Sequence, residues 1–183
     1  MRVLLSPDHV DRGLRRIAGE LVERHGGVHE LVLIGVRRSG IPIAARLQYW
    51  LRQLESVEVP TGSVDITLYR DDVATALPNP RIGPSEVPVS LEGRHLVLVD
   101  DVSYTGRTTR AAIDALMDYG RPKSIRLAVL IDRDGRELPI QPDYFVRQAE
   151  IAEDERIDLV SDDKGLSMVV QPRTAPSVPP PTP

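Results

Sequence analysis

The stretch Leu96-Val97-Leu98-Val99-Asp100-Asp101-Val102-Ser103-Tyr104-Thr105-Gly106-Arg107-Thr108-Thr109 constrains the fold more than any other part of the chain. Four aliphatic residues run into two carboxylates, a small-residue turn follows, and helical spacing begins at Thr108. A continuous apolar run bounded this way reads as a strand buried on both faces, as in a parallel sheet. The order of strand, acidic end, hydroxyl-and-glycine loop and helix start is that of an anion site in an α/β domain. Glycine lets backbone approach closely, and the free N–H groups of a helix start face a phosphate.

The rest of the chain repeats the alternation. Ser6-Pro7 has the form of an N-cap followed by proline at the first helical position. Val10, Leu14, Ile17, Leu21 and Val22 then mark a helix ending near His25-Gly26-Gly27, whose other face carries Arg12, Arg15, Arg16 and Arg24. That arginine face is either solvated or phosphate-binding. Leu31–Val36 reads as a buried strand and 41–54 as a helix, with Arg37-Arg38-Ser39-Gly40 between them. The loop is either a plain turn with exposed arginines or a second anion site.

Val64–Tyr69 alternates and reads as a strand; Arg70, Asp71 and Asp72 open a proline-containing connection to Arg94. Ile125–Ile131 is another buried strand, leading into Asp132-Arg133-Asp134-Gly135-Arg136-Glu137-Leu138-Pro139. Short strands at 156–160 and 166–170 form an edge or a small appended sheet. Residues 1–170 are expected to make one domain, with 171–183 a disordered Pro-rich tail. Strands alternating with helices predict an α/β fold, a mostly parallel sheet covered on both faces. The charged loops at 37–40, 69–72 and 100–109 all follow strands and would converge on one rim.

Composition narrows the function. The chain has no cysteine and only four histidines, which excludes thiol chemistry and disfavours structural zinc. A net charge of −4 and 4% aromatic residues give no overall nucleic-acid signature. No apolar run reaches membrane-span length and Met1–Pro7 is too short for a signal peptide, so no membrane partner and a cytoplasmic location are expected.

At the rim, Asp100 and Asp101 repel unless hydroxyl donors or a cation satisfy them. A ribose with vicinal hydroxyls would do so, and the two loops call for a phosphate and a larger anion. Phosphoribosyl diphosphate (PRPP), carrying Mg²⁺ on its diphosphate, offers all of these.

Leu96–Thr108 resembles the PRPP signature of type I phosphoribosyltransferases. Asp65–Asp72, Thr108–Ala111, Asp114–Leu116, Gly120–Pro122 and Arg136–Ile140 extend the likeness to the PyrR family, over residues 7–160. That family comprises pyrimidine-operon attenuators with uracil phosphoribosyltransferase activity. The resemblance implies the type I fold with a small hood region, and Mg²⁺ bound with PRPP rather than held by protein ligands of its own.

It further implies that Asp100 and Asp101 hold the ribose hydroxyls and that Val102, Ser103, Tyr104, Thr105, Gly106, Arg107 and Thr108 bind the 5′-phosphate. Arg37, Arg38, Ser39 and Gly40 would meet the diphosphate, with Arg38 counted alongside the two aspartates as catalytic. Arg133 and Ile157 would line the uracil pocket, and Tyr69, Arg70, Asp71 and Asp72 would begin a loop that closes over the site. No residue demands the role of dedicated general base. Tyr104 stands where purine enzymes of this fold commonly carry aspartate, which fits a pyrimidine.

The resemblance also implies a homodimer or higher homo-oligomer that binds a pyrimidine-operon leader mRNA stem-loop when UMP or UTP is bound, through Arg15, Arg16, Arg24 and Arg147. Some positions depart from the family pattern. Arg-Arg-Ser-Gly replaces the common Lys-Thr-Arg-Gly, Asp134-Gly135 replaces Gly-His, and Gly19 and Gln141 stand where basic or imidazole side chains are frequent. These departures motivate a second reading, a nucleotide-sensing RNA-binding regulator with little or no turnover.

Overall fold

A computed structural model of the chain describes residues 1–67, 69 and 85–173. In chain order the elements are β1 (Arg2–Leu5), α1 (Pro7–His25), β2 (Leu31–Val36), α2 (Gly40–Glu55), β3 (Thr61–Val64), β4 (His95–Ser103), α3 (Arg107–Met117), β5 (Ser124–Arg133), β6 (Tyr144–Ala149), β7 (Glu155–Asp162) and β8 (Gly165–Pro172). Five strands form one sheet in the order β3-β2-β4-β5-β6, and every neighbouring pair is parallel. The expected α/β class and parallel sheet are therefore observed.

The unbroken apolar runs have a simple cause. Successive side chains in a strand point to opposite faces, so a sheet covered on both sides needs apolar residues at every position. Leu31, Leu33, Val97, Val99, Ala128 and Leu130 join one core, packed with Val10, Leu14, Ile17 and Leu21 of α1 and Ile43, Leu47 and Leu51 of α2. Val32, Ile34, Leu96, Leu98, Leu127 and Val129 join the other, packed with Ala111, Ala112, Ala115 and Leu116 of α3. Each fully buried aliphatic side chain contributes about 1.5–3 kcal/mol.

Helix α1 begins as its sequence suggests. The Ser6 hydroxyl accepts from the His9 N–H, Pro7 occupies the first turn, and Gly26 closes the helix in the left-handed region.

The structure corrects the sequence reading in four places. The strand expected at 64–69 lies upstream, at Thr61–Val64. Beyond it the Asp65 carboxylate accepts from the backbone N–H and hydroxyl of Thr67, a local turn that competes with extension. Strand β6, the fifth of the main sheet, and the short β1 have no counterpart in the sequence reading. Strand β8 continues through Gln171 and Pro172, into the stretch expected to be tail; residues 174–183 lie outside the described residues.

The two short strands expected near the C-terminus are β7 and β8. With β1 they form a separate antiparallel sheet, in the order β1-β8-β7. Its Met168 and Val170 are buried in the same core as α1. This small sheet stands in the place expected of the hood.

Candidate active site

β4 is the middle strand of the parallel sheet, so its C-terminal end emerges at the centre of the rim. Asp100 is the last residue of its buried run, only 7% exposed, and Asp101 is half-buried. The Asp101 N–H donates to Asp100 Oδ1 at 3.0 Å, and the Val102 N–H donates to Asp101 Oδ1 at 2.9 Å. Burial pushes the Asp100 carboxyl well above the usual carboxylate range, and the neighbouring Asp101 charge pushes it further.

The loop 37–40 reaches this pair directly. Ser39 precedes α2 but makes no side-chain bond to the first turn; its hydroxyl lies toward Asp100 and favours the ionised carboxylate. The approach is close enough to require glycine. A Cβ on Gly40 would lie 2.2 Å from the Val99 carbonyl oxygen, and one on Gly35 would lie 2.7 Å from that of Gly40. The Arg37–Arg38 peptide is cis. Arg37 turns toward the neighbouring strand, its Nε donating to Ser63 Oγ at 3.4 Å and its Nη2 lying 3.7 Å from Glu86. Arg38 is exposed and has no ion pair among the described residues. Of the two adjacent arginines, Arg38 is the one available to an incoming anion.

Beyond the aspartates, Val102–Thr109 wrap a cavity of about 320 Å³ that Arg173 also lines. Gly106 precedes α3 with φ +91, a conformation that suits glycine, and gives the helix no side-chain cap. The Arg107 N–H donates to the Thr105 hydroxyl at 3.3 Å, and the following N–H groups of the helix start suit a ligand anion. The Thr105 carbonyl accepts from the N–H groups of Glu137 (3.1 Å) and Leu138 (3.0 Å), which braces the loop against the segment after β5. Arg107 is held by Glu137 at 2.7 Å. The Ser103 hydroxyl is buried and has no hydrogen-bond partner among the described residues. Arg173 lies beyond the expected domain end and escapes the sequence reading. Its only local signal is a positive charge between Pro172 and the Pro-rich stretch.

At the end of β5, Asp132 pairs in register with Ser103. Asp132, Arg133, Asp134, Arg136 and Gln148 help to line a second cavity of about 550 Å³ beside the first strand end. The Arg136 Nη2 donates to Asp132 at 2.9 Å. Arg133 is 4% exposed, and its guanidinium donates to the carbonyls of Ile151 (3.3 Å), Ala152 (3.0 Å) and Glu155 (3.2 Å) while lying against the Tyr104 ring. Ile157, the other residue that the resemblance sends to a base pocket, sits on β7 opposite Val170 and packs on the α1-side core.

Tyr69 is tied to α3: its carbonyl accepts from Arg110 Nη2 at 3.1 Å, and its hydroxyl donates to Asp118, just past the helix, at 2.7 Å. Arg70, Asp71 and Asp72, assigned to the same loop, lie outside the described residues.

The four arginines expected to meet RNA divide into two groups. Arg16 donates to the Phe145 carbonyl at 2.6 Å, Arg24 to the Tyr144 hydroxyl at 3.2 Å, and Arg147 to the Leu4 carbonyl at 3.1 Å, so these three border β6. Arg15 instead stacks 5.3 Å from the Trp50 ring on α2.

The rim thus holds two anion-ready loops on either side of a carboxylate pair. The donor set fits a Mg²⁺ carried in on a diphosphate, since paired carboxylates complement a cation whose direct oxygens come from phosphates. Among the described residues no helix is long and apolar enough to cross a membrane.

Comparison with known proteins gives the same architecture. Residues 6–163 match the phosphoribosyl transferase domain family. A Deinococcus radiodurans protein named bifunctional protein PyrR is 53% identical over 152 residues, covering 83% of each chain. The protein of that name from Enterococcus faecalis is 53% identical over 146 residues, covering 80% of this chain and 82% of its own. Among solved structures, the hypoxanthine phosphoribosyltransferase of Trypanosoma cruzi superposes with a TM-score of 0.68, covering 92% of this chain and 95% of its own. At 20% identity that likeness speaks to the fold alone.

Proposed function

The chain belongs to the bifunctional PyrR family of phosphoribosyltransferases, and on that premise we propose that it transfers the phosphoribosyl group of PRPP to uracil and also regulates pyrimidine genes by binding leader mRNA. One observation carries the enzymatic half. The buried Asp100 lies on the strand that feeds the 103–109 loop, and the 37–40 loop packs on that same strand so closely that a Cβ on Gly40 would lie 2.2 Å from the Val99 carbonyl oxygen, so both anion sites are built beside one carboxylate pair.

In this reading the 103–109 loop and the start of α3 hold the 5′-phosphate. Asp100 and Asp101 accept from the 2′- and 3′-hydroxyls, and Arg38 and Ser39 face the diphosphate. The uracil N1 attacks C1 of the sugar, C1 inverts, the bond to the diphosphate oxygen breaks, and the N1 proton passes to solvent. The barrier is lowered by holding the nucleophile in line and by stabilising charge on the leaving group, so positioning and electrostatics do the work that a general base does elsewhere. Mg²⁺, when bound with the diphosphate, supplies Lewis-acid neutralisation of that leaving charge. The Tyr104 ring, beside the base end of the rim, is the feature that favours a pyrimidine.

For the regulatory half, Arg16, Arg24 and Arg147 stand along β6, Arg16 paired with Glu20 and Arg24 3.9 Å from Asp143, so an RNA phosphate would compete with those carboxylates, and nucleotide in the same rim acts as the signal. The second reading keeps this half and drops efficient turnover. Its support is that the 37–40 loop commits Arg37 to Ser63 and Glu86, leaving Arg38 as the loop's cation for diphosphate.

The test is UMP formation from uracil and PRPP with Mg²⁺. The enzyme reading expects UMP and diphosphate in equal amounts. UMP binding without turnover above background would leave only the regulator, and absence of both would end the assignment of this rim.

A further inference from the structure

We propose that Arg173, at the end of β8, completes the 5′-phosphate site and supplies the cation that the 103–109 loop lacks. The proposal rests on the reading of this rim as a phosphoribosyl site. It concerns a residue outside the signature stretch, directly after the last strand of the other sheet.

Four observations converge on it. Among the described residues, the cavity of about 320 Å³ wrapped by Val102–Thr109 has Arg173 as its one lining residue from outside that loop. Within the cavity wall the Ser103 hydroxyl is buried, 4% exposed, with no hydrogen-bond partner among the described residues. A buried hydroxyl without a partner costs free energy, which a ligand oxygen removes. The wall also holds the start of α3, an eleven-residue helix whose Arg107 N–H donates to the Thr105 hydroxyl at 3.3 Å and whose next N–H groups suit an anion.

The fourth observation is charge. The loop's own arginine, Arg107, is held by Glu137 at 2.7 Å. Arg173 has no ion pair among the described residues, and its backbone N–H donates to the Asp154 carbonyl at 2.6 Å, which fixes where the side chain starts. A 5′-phosphate in the cavity would then receive backbone N–H groups, hydroxyls of Ser103, Thr105 and Thr108, and one guanidinium able to bind two of its oxygens at once. The consequence is structural as well. Ligand binding joins the end of β8 to the turn after β4, coupling the small antiparallel sheet to the parallel one through the phosphate.

The test compares wild-type protein with Arg173→Gln and Arg173→Lys in the reverse reaction, UMP with diphosphate, and in direct binding of UMP and uridine. Arg173→Gln is expected to raise the Kd and KM for UMP roughly tenfold to a hundredfold, the range for losing a hydrogen bond to a charged group. The KM for diphosphate, bound at the other loop, and the affinity for uridine, which has no phosphate, should stay within about twofold, and Arg173→Lys should recover part of the loss. UMP affinity within about twofold of wild type in Arg173→Gln overturns the proposal while leaving the active site in place. Equal losses for UMP, uridine and diphosphate overturn it by showing a general structural defect. A wild-type protein that binds no UMP overturns both the proposal and the reading beneath it.

Discussion

The guanidinium of Arg133 lies 4.2 Å from the centroid of the Tyr104 ring, joining the end of β5 to the turn after β4 across the face of the aromatic. The same guanidinium directs its donors to three carbonyls of the 151–155 segment that leads into β7. One buried cation therefore holds together the phosphate-loop turn, the end of the parallel sheet and the entry to the small sheet. Its role here is positioning. It explains why an arginine near the base end of the rim can be nearly inaccessible.

Replacing Arg133 by alanine should destabilise the fold by about 2–4 kcal/mol, since buried carbonyls lose their donor and the Tyr104 ring loses its neighbour. Urea unfolding measures this. Arg133→Lys should rescue little, because one ammonium cannot both span three carbonyls and lie flat on a ring. Full stability in Arg133→Lys would mean that the stacking and the three carbonyl bonds contribute nothing together.

Asp100 sets a conflict between stability and chemistry. Its folded pKa is raised, so the folded state holds the proton more tightly than the unfolded chain does. Stability from this group is fully present below the unfolded value of about 3.9 and is lost as pH rises through the folded value. Above that folded value the ionised carboxylate is a burden, kept because hydroxyl recognition needs an acceptor. Asp100→Asn should therefore raise Tm at pH 7, with a smaller gain at pH 4, while lowering kcat/KM by at least about a hundredfold. A Tm lowered at pH 7 would show that the charged form is the stabilised one.

The 37–40 loop tests how closely backbone must approach backbone. Gly40→Ala puts a Cβ 2.2 Å from the Val99 carbonyl oxygen, a contact that neither backbone can yield cheaply. We expect a loss of about 2–4 kcal/mol or a loop moved off Asp100. In the second case Ser39 leaves the carboxylate, and the KM for PRPP should rise much more than the KM for uracil. Equal changes in both would separate the loop from the diphosphate side of the rim.

What could be read in the sequence was what periodicity and local chemistry encode. The run Leu96–Val99 could only be a strand covered twice, and Thr105-Gly106 could only be a turn, so the centre of the rim followed from a dozen adjacent residues. Strand β6 escaped because it is an edge strand with Tyr144 as its one buried residue, and Phe145, Val146, Arg147 and Gln148 mix apolar and polar without strict alternation. Strand β3 was displaced because Val64–Tyr69 has strand composition, yet the Asp65 carboxylate captures Thr67 and ends extension there. The link from Ser39 to Asp100 and the arrival of Arg173 at the phosphate loop join segments far apart in the chain. No local pattern carries such a contact; only the sheet order does.

That same sheet order decides which arginines can act together on RNA. Arg16 and Arg24 are two helical turns apart on α1, and both reach residues of β6, where Arg147 also stands. Arg15 turns the other way, onto Trp50 of α2. Backbone phosphates would then be met mainly along β6. Arg16→Ala with Arg24→Ala should weaken binding of a leader stem-loop in the presence of UMP and flatten the slope of log Kd against log salt by up to about 2, near one unit for each phosphate that is no longer neutralised. Arg15→Ala should flatten it by less than half as much, since its guanidinium is engaged with the indole. Uracil phosphoribosyl transfer should be unchanged in both, because neither change touches the rim. If Arg15→Ala flattened the slope as much as the pair does, the RNA face would lie between α1 and α2 instead, around Trp50 and Tyr49.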